Sequence, residues 1–462
     1  MFKLSEIQTI TQAEGFSPRK EIEVSGISTD TRTLQGGELF IALRGEKYDG
    51  QDFLEEAFAK GAAAALVSQA PVSEPPGPVL VVKDPLAALG ALATNWRRRF
   101  KIPMVAVTGS VGKTTTKEMI AAILSQSLTV LKTPENYNNE IGVPLALLQL
   151  NEEHQAGVIE LAMRGKGQIR YLAEMGAPNV GVITNIGISH LELLSSPAAI
   201  AQAKAELLEV MGETGKTVLN QENESFPFLA EKAGPILTFG LQSGQVRAAE
   251  IKLDSQGSSF ILCLPKEASW PEGEQESVPV TLPVPGRHNV ANALAAAAAA
   301  RWLGTSAKQI AQGLGDFRAV IGRMRLLQSP QGYTIIDDSY NASPDSMRAA
   351  LEVLADIGGE RKIAVLGDMR ELGPESAMYH RAIGRFAGQL PLDLIVTVGE
   401  MGEEIAAAAA DALSSAAIEF VPSAQDALRL LSGLLRPGDV VLVKASRALG
   451  LEIIVKGLEA AG

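Results

Sequence analysis

Cysteine is almost absent from this chain. Cys263 is the single one in 462 residues, so no internal disulfide framework can staple the fold, and a reducing compartment is expected. Long apolar runs are missing as well: no 18-residue stretch is apolar enough to suggest a helical membrane span. Met1-Phe2-Lys3-Leu4-Ser5-Glu6 lacks the basic-then-apolar order of a signal peptide, and a cytoplasmic protein without membrane insertion is expected. Positive charge is in deficit, 41 basic against 53 acidic residues, and a net charge of −12 disfavours nucleic acid or an anionic membrane as the main partner. Anionic ligands must therefore be met by local clusters. What is present is ordinary globular composition, 46% hydrophobic and 20% charged, in a chain too long for one hydrophobic core.

The strongest motif is itself one glycine short. Val105-Ala106-Val107-Thr108-Gly109-Ser110-Val111-Gly112-Lys113-Thr114-Thr115-Thr116 has the pattern of a buried strand, a glycine-rich turn and a helix with apolar period through Met119, Ile120 and Leu124. The full Walker spacing would put glycine at 107, where Val107 stands, which leaves the shortened form G-x-x-G-K-T. The backbone N–H groups of Gly109, Ser110, Val111 and Gly112 can approach anionic oxygens, Lys113 can reach β- and γ-phosphates, and the hydroxyl of Thr114 or Thr115 suits Mg²⁺. Such a loop points to mononucleotide phosphate and is silent about the reaction.

Periodicity and turn signals divide the rest into three α/β portions. Residues 1–101 form a small unit with strands at Gly37 to Leu43 and Ala63 to Val67 and a helix from Gly50 to Lys60. Ser28, Thr29 and Arg32 precede its first strand, and Arg44 and Asp49 follow it; the arginines suit bidentate phosphate contacts, and solvated loop charge is the alternative. Arg97-Arg98-Arg99 with Lys101 can form a phosphate patch, but basic residues ending a helix also complement its dipole, which is the favoured reading. Residues 102–318 alternate strand and helix, which predicts a parallel sheet, with extra antiparallel strands between 245 and 283. Ligands of such sheets sit beyond the carboxyl ends of the strands, where the glycine turn, Glu160 and the stretch Asn185 to His190 all fall. Glu160 is open to two roles, hard-cation ligand or salt-bridge partner. Taken alone, His190 has the character of a hydrogen-bonded histidine and Lys204 of a surface lysine. Asn289 and Asn292, three apart, share a helix face on which they can meet a base, with helix capping as the other role for Asn289. Residues 319–462 carry four strand signals with helices between, an open sheet of Rossmann type that lacks G-x-G-x-x-G and need not bind a dinucleotide.

Several blocks together resemble the Mur ligases over essentially the whole length. They are Thr108-Gly109-Ser110-Val111-Gly112-Lys113-Thr114-Thr115, Asn138-Asn139-Glu140-Ile141-Gly142-Val143-Pro144, Glu160-Leu161-Ala162-Met163-Arg164-Gly165-Lys166-Gly167, Thr184-Asn185-Ile186-Gly187 with His190, Ala203-Lys204-Ala205-Glu206, and Gly286-Arg287-His288-Asn289 with Asn292. Gly322-Arg323, Asp338-Ser339-Tyr340-Asn341-Ala342-Ser343-Pro344 and Leu366-Gly367-Asp368-Met369 complete the set. The Met-Arg-Gly and Asp-Ser-Tyr-Asn-Ala blocks are similar to those of the members that add a dipeptide.

That resemblance implies an ATP-dependent ligase joining D-alanyl-D-alanine to a UDP-N-acetylmuramoyl-tripeptide through an acyl phosphate, working as a monomer on small molecules. It implies Lys113 on the ATP phosphates, Thr114 or Thr115 on one Mg²⁺, and Glu160 and His190 on a second, supported by Lys204 as a carbamate. Asn289 and Asn292 would meet adenine, Arg323 the γ-phosphate and Asp338 the ribose. Residues 1–101 would hold the UDP end through Ser28, Thr29, Arg32, Arg44 and Asp49. Asn138, Asn139, Glu140 and Arg164 are further substrate candidates, and Tyr340, Asn341 and Ser343 would meet the dipeptide. Ala162 and Ser343 depart from the family pattern, which has glycine and asparagine there. Three alternatives remain at this point: another amide ligase of the family, a P-loop switch or partitioning ATPase, and a non-catalytic UDP-sugar-binding protein.

Overall fold

The computed structural model describes residues 1–15, 21–187, 196–254, 256–267, 274–412 and 415–460. The chain divides into two compact units. The first comprises Met1–Ala106, Leu128–Met163 and Gly167–Asn179; the second comprises Val107–Ser127, Arg164–Lys166 and Val180–Gly462.

In the first unit a five-stranded sheet runs in the order Glu14–Gly15, Val79–Val81, Ala64–Val67, Leu39–Ile41, Ile27–Ser28, parallel except at its Glu14–Gly15 edge. Leu39–Ile41 and Ala64–Val67 are buried throughout, as short apolar runs covered on both faces should be. The first is shorter than its sequence pattern predicts. The helix expected from Gly50 begins as a 3₁₀ turn, Gly50–Phe53, capped by Asp49, and becomes α-helical only at Leu54–Ala59. Pro85–Arg97 has the start signals of a helix in full: Asp84 accepts from Leu86 and Ala87 N–H, and Pro85 opens the first turn. At its far end Arg97 is buried, its guanidinium donating to the carbonyls of Gly176, Phe100 and Ile102 at 3.0, 2.6 and 3.1 Å. The charge run at 97–101 thus contains a structural tie as well as helix-end charge. Parallel strands Val130–Lys132 and Ala156–Glu160 also belong to this unit.

The second unit holds the end of the strand Met104–Thr108 and, beyond it, strands in the order Val180–Ile183, Lys216–Asn220, Ile236–Gly240, Val246–Asp254, Gly257–Pro265, Gln275–Leu282. Pairing is parallel through Val246–Asp254 and antiparallel after it, as the alternating pattern of 245–283 predicts. Helices Lys113–Leu124, Arg287–Trp302 and Ala307–Gly315 pack together. Their small residues permit it: Ala295 to Ala300 are fully buried, and a Cβ on Gly313 would lie 2.4 Å from Ile123 Cα. The last sheet runs Arg325–Gln328, Thr334–Asp337, Val440–Lys444, Lys362–Gly367, Leu394–Val398, Ala417–Val421, parallel apart from its first pair. Alternate residues feed two cores. Ile336, Ala364, Leu366, Ile395 and Leu442 face one layer, while Ile335, Ile363, Val365, Val396 and Val441 face the other, which is a sheet covered on both sides.

Candidate active site

The buried strand Met104–Thr108 passes the chain to Gly109, whose φ of +152° favours glycine. A Cβ there would also lie 1.9 Å from Thr184 Oγ1, so glycine is what lets the turn press against the end of Val180–Ile183. Gly112, at φ +81°, precedes the helix Lys113–Leu124, and its missing Cβ leaves room for Asn292 Oδ1. The turn is braced from the neighbouring strand. Thr184 Oγ1 donates to Val111 O at 2.6 Å, and Asn185 Oδ1 accepts the N–H groups of Ser110 and Val111 at 3.1 and 3.0 Å. Ser110 Oγ donates to Gly187 O and accepts Gly187 N–H, both at 3.0 Å.

Two ammonium groups meet one carbonyl of this turn. Lys113 Nζ donates to Gly109 O at 2.8 Å and Ser110 O at 3.1 Å, and Lys204 Nζ, from the helix Pro197–Met211, reaches the same Gly109 O at 2.9 Å. Lys204 is only 1% exposed, not the surface lysine its local sequence suggests. Burial first, and then the charge of Lys113, push its pKa well below the ordinary lysine value. Thr114, buried, and Thr115, half-buried, stand on the first turn of the helix. Thr116 Oγ1 donates to Asn292 Oδ1 at 3.4 Å. Asn292 Nδ2 in turn donates to Asn289 Oδ1 at 3.3 Å, and Asn289 Nδ2 to Pro285 O at 2.8 Å. The two asparagines share a face as predicted; Gly286, not Asn289, takes the N-cap position.

In the first unit Glu160 ends its strand at 1% exposure. Oε1 accepts from Asn138 Nδ2 at 2.8 Å, and Oε2 is buried with no hydrogen-bond partner. Asn139 Oδ1 accepts the N–H groups of Ile141 and Gly142, Glu140 accepts from Gln168, and Arg164 is exposed. Beyond the carboxyl ends of the first sheet, Ser28 Oγ bonds the backbone of Asp30, and Thr29 is half-buried. Arg32 forms a bidentate pair with Asp30, and Arg44 lies 3.7 Å from Asp49 across an isolated bridge.

The strand Thr334–Asp337 delivers two carboxylates with separate duties. Asp337, buried, accepts from Gly322 N–H at 3.0 Å and Ser339 Oγ at 2.6 Å, holding the Gly322-Arg323 turn in place. Asp338 accepts from Met324 N–H at 3.1 Å and from Lys444 Nζ at 2.6 Å. Lys444 also donates to Asn341 O, so one buried ammonium ties Asp338 to the loop that follows it. The Arg323 guanidinium stacks 4.3 Å from the centre of the Tyr340 ring. Ser343 caps the helix Pro344–Asp356, with its N–H donating to Ser346 Oγ. His288 is pushed down to about 4, by burial first and then by Lys444, so it stays neutral near pH 7. His190 lies outside the described residues. Lys444, the last residue of the apolar strand Val440–Lys444, could have been found from its position at a carboxyl end.

Residues 23–97 match the Mur ligase family catalytic domain, 107–300 the Mur ligase middle domain, and 322–447 the Mur ligase glutamate ligase domain. The UDP-N-acetylmuramoyl-tripeptide–D-alanyl-D-alanine ligase of Synechocystis is 40% identical over 95% of this chain and 93% of its own. This chain belongs to the Mur ligase family. Among solved structures, MurF of Acinetobacter baumannii has a TM-score of 0.88 at 36% identity, covering 98% of each chain. MurF of Thermotoga maritima, in complex with ADP, has a TM-score of 0.83 at 27% identity, covering 95% of this Mur ligase and 98% of its own chain. No helix among the described residues is long and apolar enough to cross a membrane.

Proposed function

We propose that this Mur ligase joins D-alanyl-D-alanine to UDP-N-acetylmuramoyl-tripeptide with release of ADP and phosphate, giving the UDP-linked pentapeptide for peptidoglycan. A carboxylate is a poor electrophile. ATP therefore phosphorylates the tripeptide carboxylate, the dipeptide amine attacks the acyl phosphate, and phosphate leaves. Such chemistry asks the protein for positioning and charge neutralisation more than for covalent participation. The observation that carries the nucleotide half is the glycine turn braced by Thr184 and Asn185, with Lys113 and Lys204 both on Gly109 O. Near-full-length similarity to ligases of that name supports the acceptor.

Gly109, Ser110, Val111, Gly112 and Lys113 line the phosphate site in this proposal, Ser110 and Val111 as a turn whose N–H groups Asn185 holds, while Asn289 and Asn292 face adenine, Arg323 the γ-phosphate and Asp338 the ribose. Portions 1–101, 102–318 and 319–462 serve the UDP end, the ATP phosphates and the ribose and dipeptide side. Ser28, Thr29, Arg32, Arg44 and Asp49 serve the UDP end; Asn138, Asn139, Glu140 and Arg164 the tripeptide; Tyr340, Asn341 and Ser343 the dipeptide. The residues fit Mg²⁺: the orphaned Glu160 Oε2 is a hard oxygen donor in need of a partner, and Thr114 and Thr115 offer hydroxyls at a helix start. His190 is proposed as a further Mg²⁺ ligand. When bound, the ions supply charge neutralisation at the transferred phosphoryl group. A lowered pKa raises the neutral share of the Lys204 amine, the state that reacts with CO₂, which supports the carbamate at that position. A cytoplasmic location is part of the proposal, supported by the UDP-linked substrate, as is a monomer, supported by a single chain carrying every residue named. A coupled ADP assay tests the proposal: turnover is expected with D-alanyl-D-alanine and not with single amino acids, and acceptor-independent hydrolysis would instead favour a P-loop ATPase.

A further inference from the structure

We propose that Arg447 binds the free terminal carboxylate of the acceptor dipeptide, and so separates a dipeptide acid from other amines. The inference rests on the ligase function proposed above and adds a recognition residue to it.

Arg447 lies three residues past the strand Val440–Lys444, beyond the carboxyl end of a strand flanked by Thr334–Asp337 and Lys362–Gly367 in the last sheet. Its guanidinium is 5.1 Å from the Tyr340 ring centre, and Nη1 donates to Tyr340 Oη at 3.2 Å. Arg323 stacks on the same ring at 4.3 Å. Two like charges are thus gathered at one aromatic side chain. Among the described residues, neither forms an ion pair with a carboxylate, whereas Arg361, Arg381 and Arg429 in the same sheet's surroundings hold Asp439, Glu404 and Asp426. A pair of guanidiniums brought together without counter-ions is a place for anions to bind.

The reaction supplies two anions of different kinds on this side, a phosphoryl group and the carboxylate at the far end of the acceptor. Arg323 is assigned to the first. Arg447, exposed yet held by the ring face and the phenol hydroxyl, is free to take the second, and its planar fork matches a carboxylate with little loss of side-chain freedom. Tyr340 starts the loop whose next residue, Asn341, is tied to Lys444, so the guanidinium and the loop are anchored to the same strand end.

The test compares D-alanyl-D-alanine with its carboxamide as acceptors, using the full-length enzyme and its Arg447→Ala and Arg447→Lys variants. The unaltered enzyme should prefer the acid, through a lower KM, by about tenfold to a hundredfold, the size of a charge-assisted contact. Arg447→Ala should raise KM for the acid to that of the carboxamide while KM for ATP stays unchanged. Arg447→Lys, which keeps the charge without the fork, should retain a reduced preference for the acid. Equal weakening of both acceptors would overturn the proposal, since that is what a purely structural role through Tyr340 produces. A raised KM for ATP with the acid preference intact would overturn it too, placing Arg447 on phosphate. Turnover of the unaltered enzyme with the free dipeptide tests the ligase function itself, so failure there is distinct from failure confined to Arg447.

Discussion

Asn185 offers a sharp test of the phosphate loop, because two substitutions there should separate stability from nucleotide binding. Its Oδ1 accepts two backbone N–H groups of the glycine turn, at 3.1 and 3.0 Å. Asn185→Ala removes both bonds, but Ser110 N–H keeps the Asn185 backbone carbonyl at 3.0 Å, so Val111 N–H is the group that loses its acceptor. At a net 0.5–1.5 kcal/mol for such a bond, the loss is about 1 kcal/mol of stability. Asn185→Asp is nearly isosteric and still accepts both N–H groups, now as a charge-assisted acceptor, so the fold should be as stable as before. It also puts a negative charge beside the cradle. A unit charge about 5 Å from a phosphate charge, at an effective dielectric of about 20, costs roughly 3 kcal/mol, which is a hundredfold or more in affinity. Calorimetric titration with ATP and thermal unfolding without it measure the two effects independently. The alanine variant should melt early and bind ATP moderately less well; the aspartate variant should melt normally and bind ATP poorly. An aspartate variant with unaltered ATP affinity would refute the placement of phosphates in this turn.

Lys113→Ala should lower ADP release on the order of a thousandfold, measured by the coupled assay under saturating substrates. Gly112→Ala must accept a positive φ and displace Asn292 Oδ1 from 2.3 Å, so a loss of about 1–2 kcal/mol or more in unfolding free energy is expected. Lys204→Ala should lose activity that short carboxylates such as formate partly restore, and ¹³C-bicarbonate should give a carbamate signal in the parent enzyme only; no rescue and no signal would remove the carbamate. His288 has its folded pKa lowered from 6.5 to about 4, so its contribution to stability is present above 6.5 and is lost as pH falls through that window. The loss is about 3 kcal/mol at most, and His288→Gln should abolish that part of the acid sensitivity in equilibrium unfolding.

The glycine turn was legible because everything that defines it is local: an apolar run, two glycines, a lysine and a helix that starts at once. The shared face of Asn289 and Asn292 followed from helical spacing alone. Long-range meetings were not legible. Lys204 reaches Gly109 across 95 positions, a meeting suggested only by the family resemblance of Ala203-Lys204-Ala205-Glu206, and Arg447 reaches Tyr340 across 107 with nothing in its flanking residues to announce it. Asp337 and Asp338 look equivalent as neighbours at a strand end; period-2 alternation turns one inward to hold Gly322 and the other toward Lys444. Arg97 sits in a run of basic residues that suggests helix-end charge, and only the return of the chain at Gly176 makes it a buried donor to three carbonyls.

Transfer of an oxygen atom tests the acyl-phosphate route most directly. UDP-N-acetylmuramoyl-tripeptide labelled with ¹⁸O in its terminal carboxylate is turned over with ATP and D-alanyl-D-alanine, and the released phosphate is analysed by mass spectrometry. One ¹⁸O should appear in each phosphate, because the carboxylate oxygen leaves with the phosphoryl group. Phosphate carrying only solvent or ATP oxygen would contradict the account.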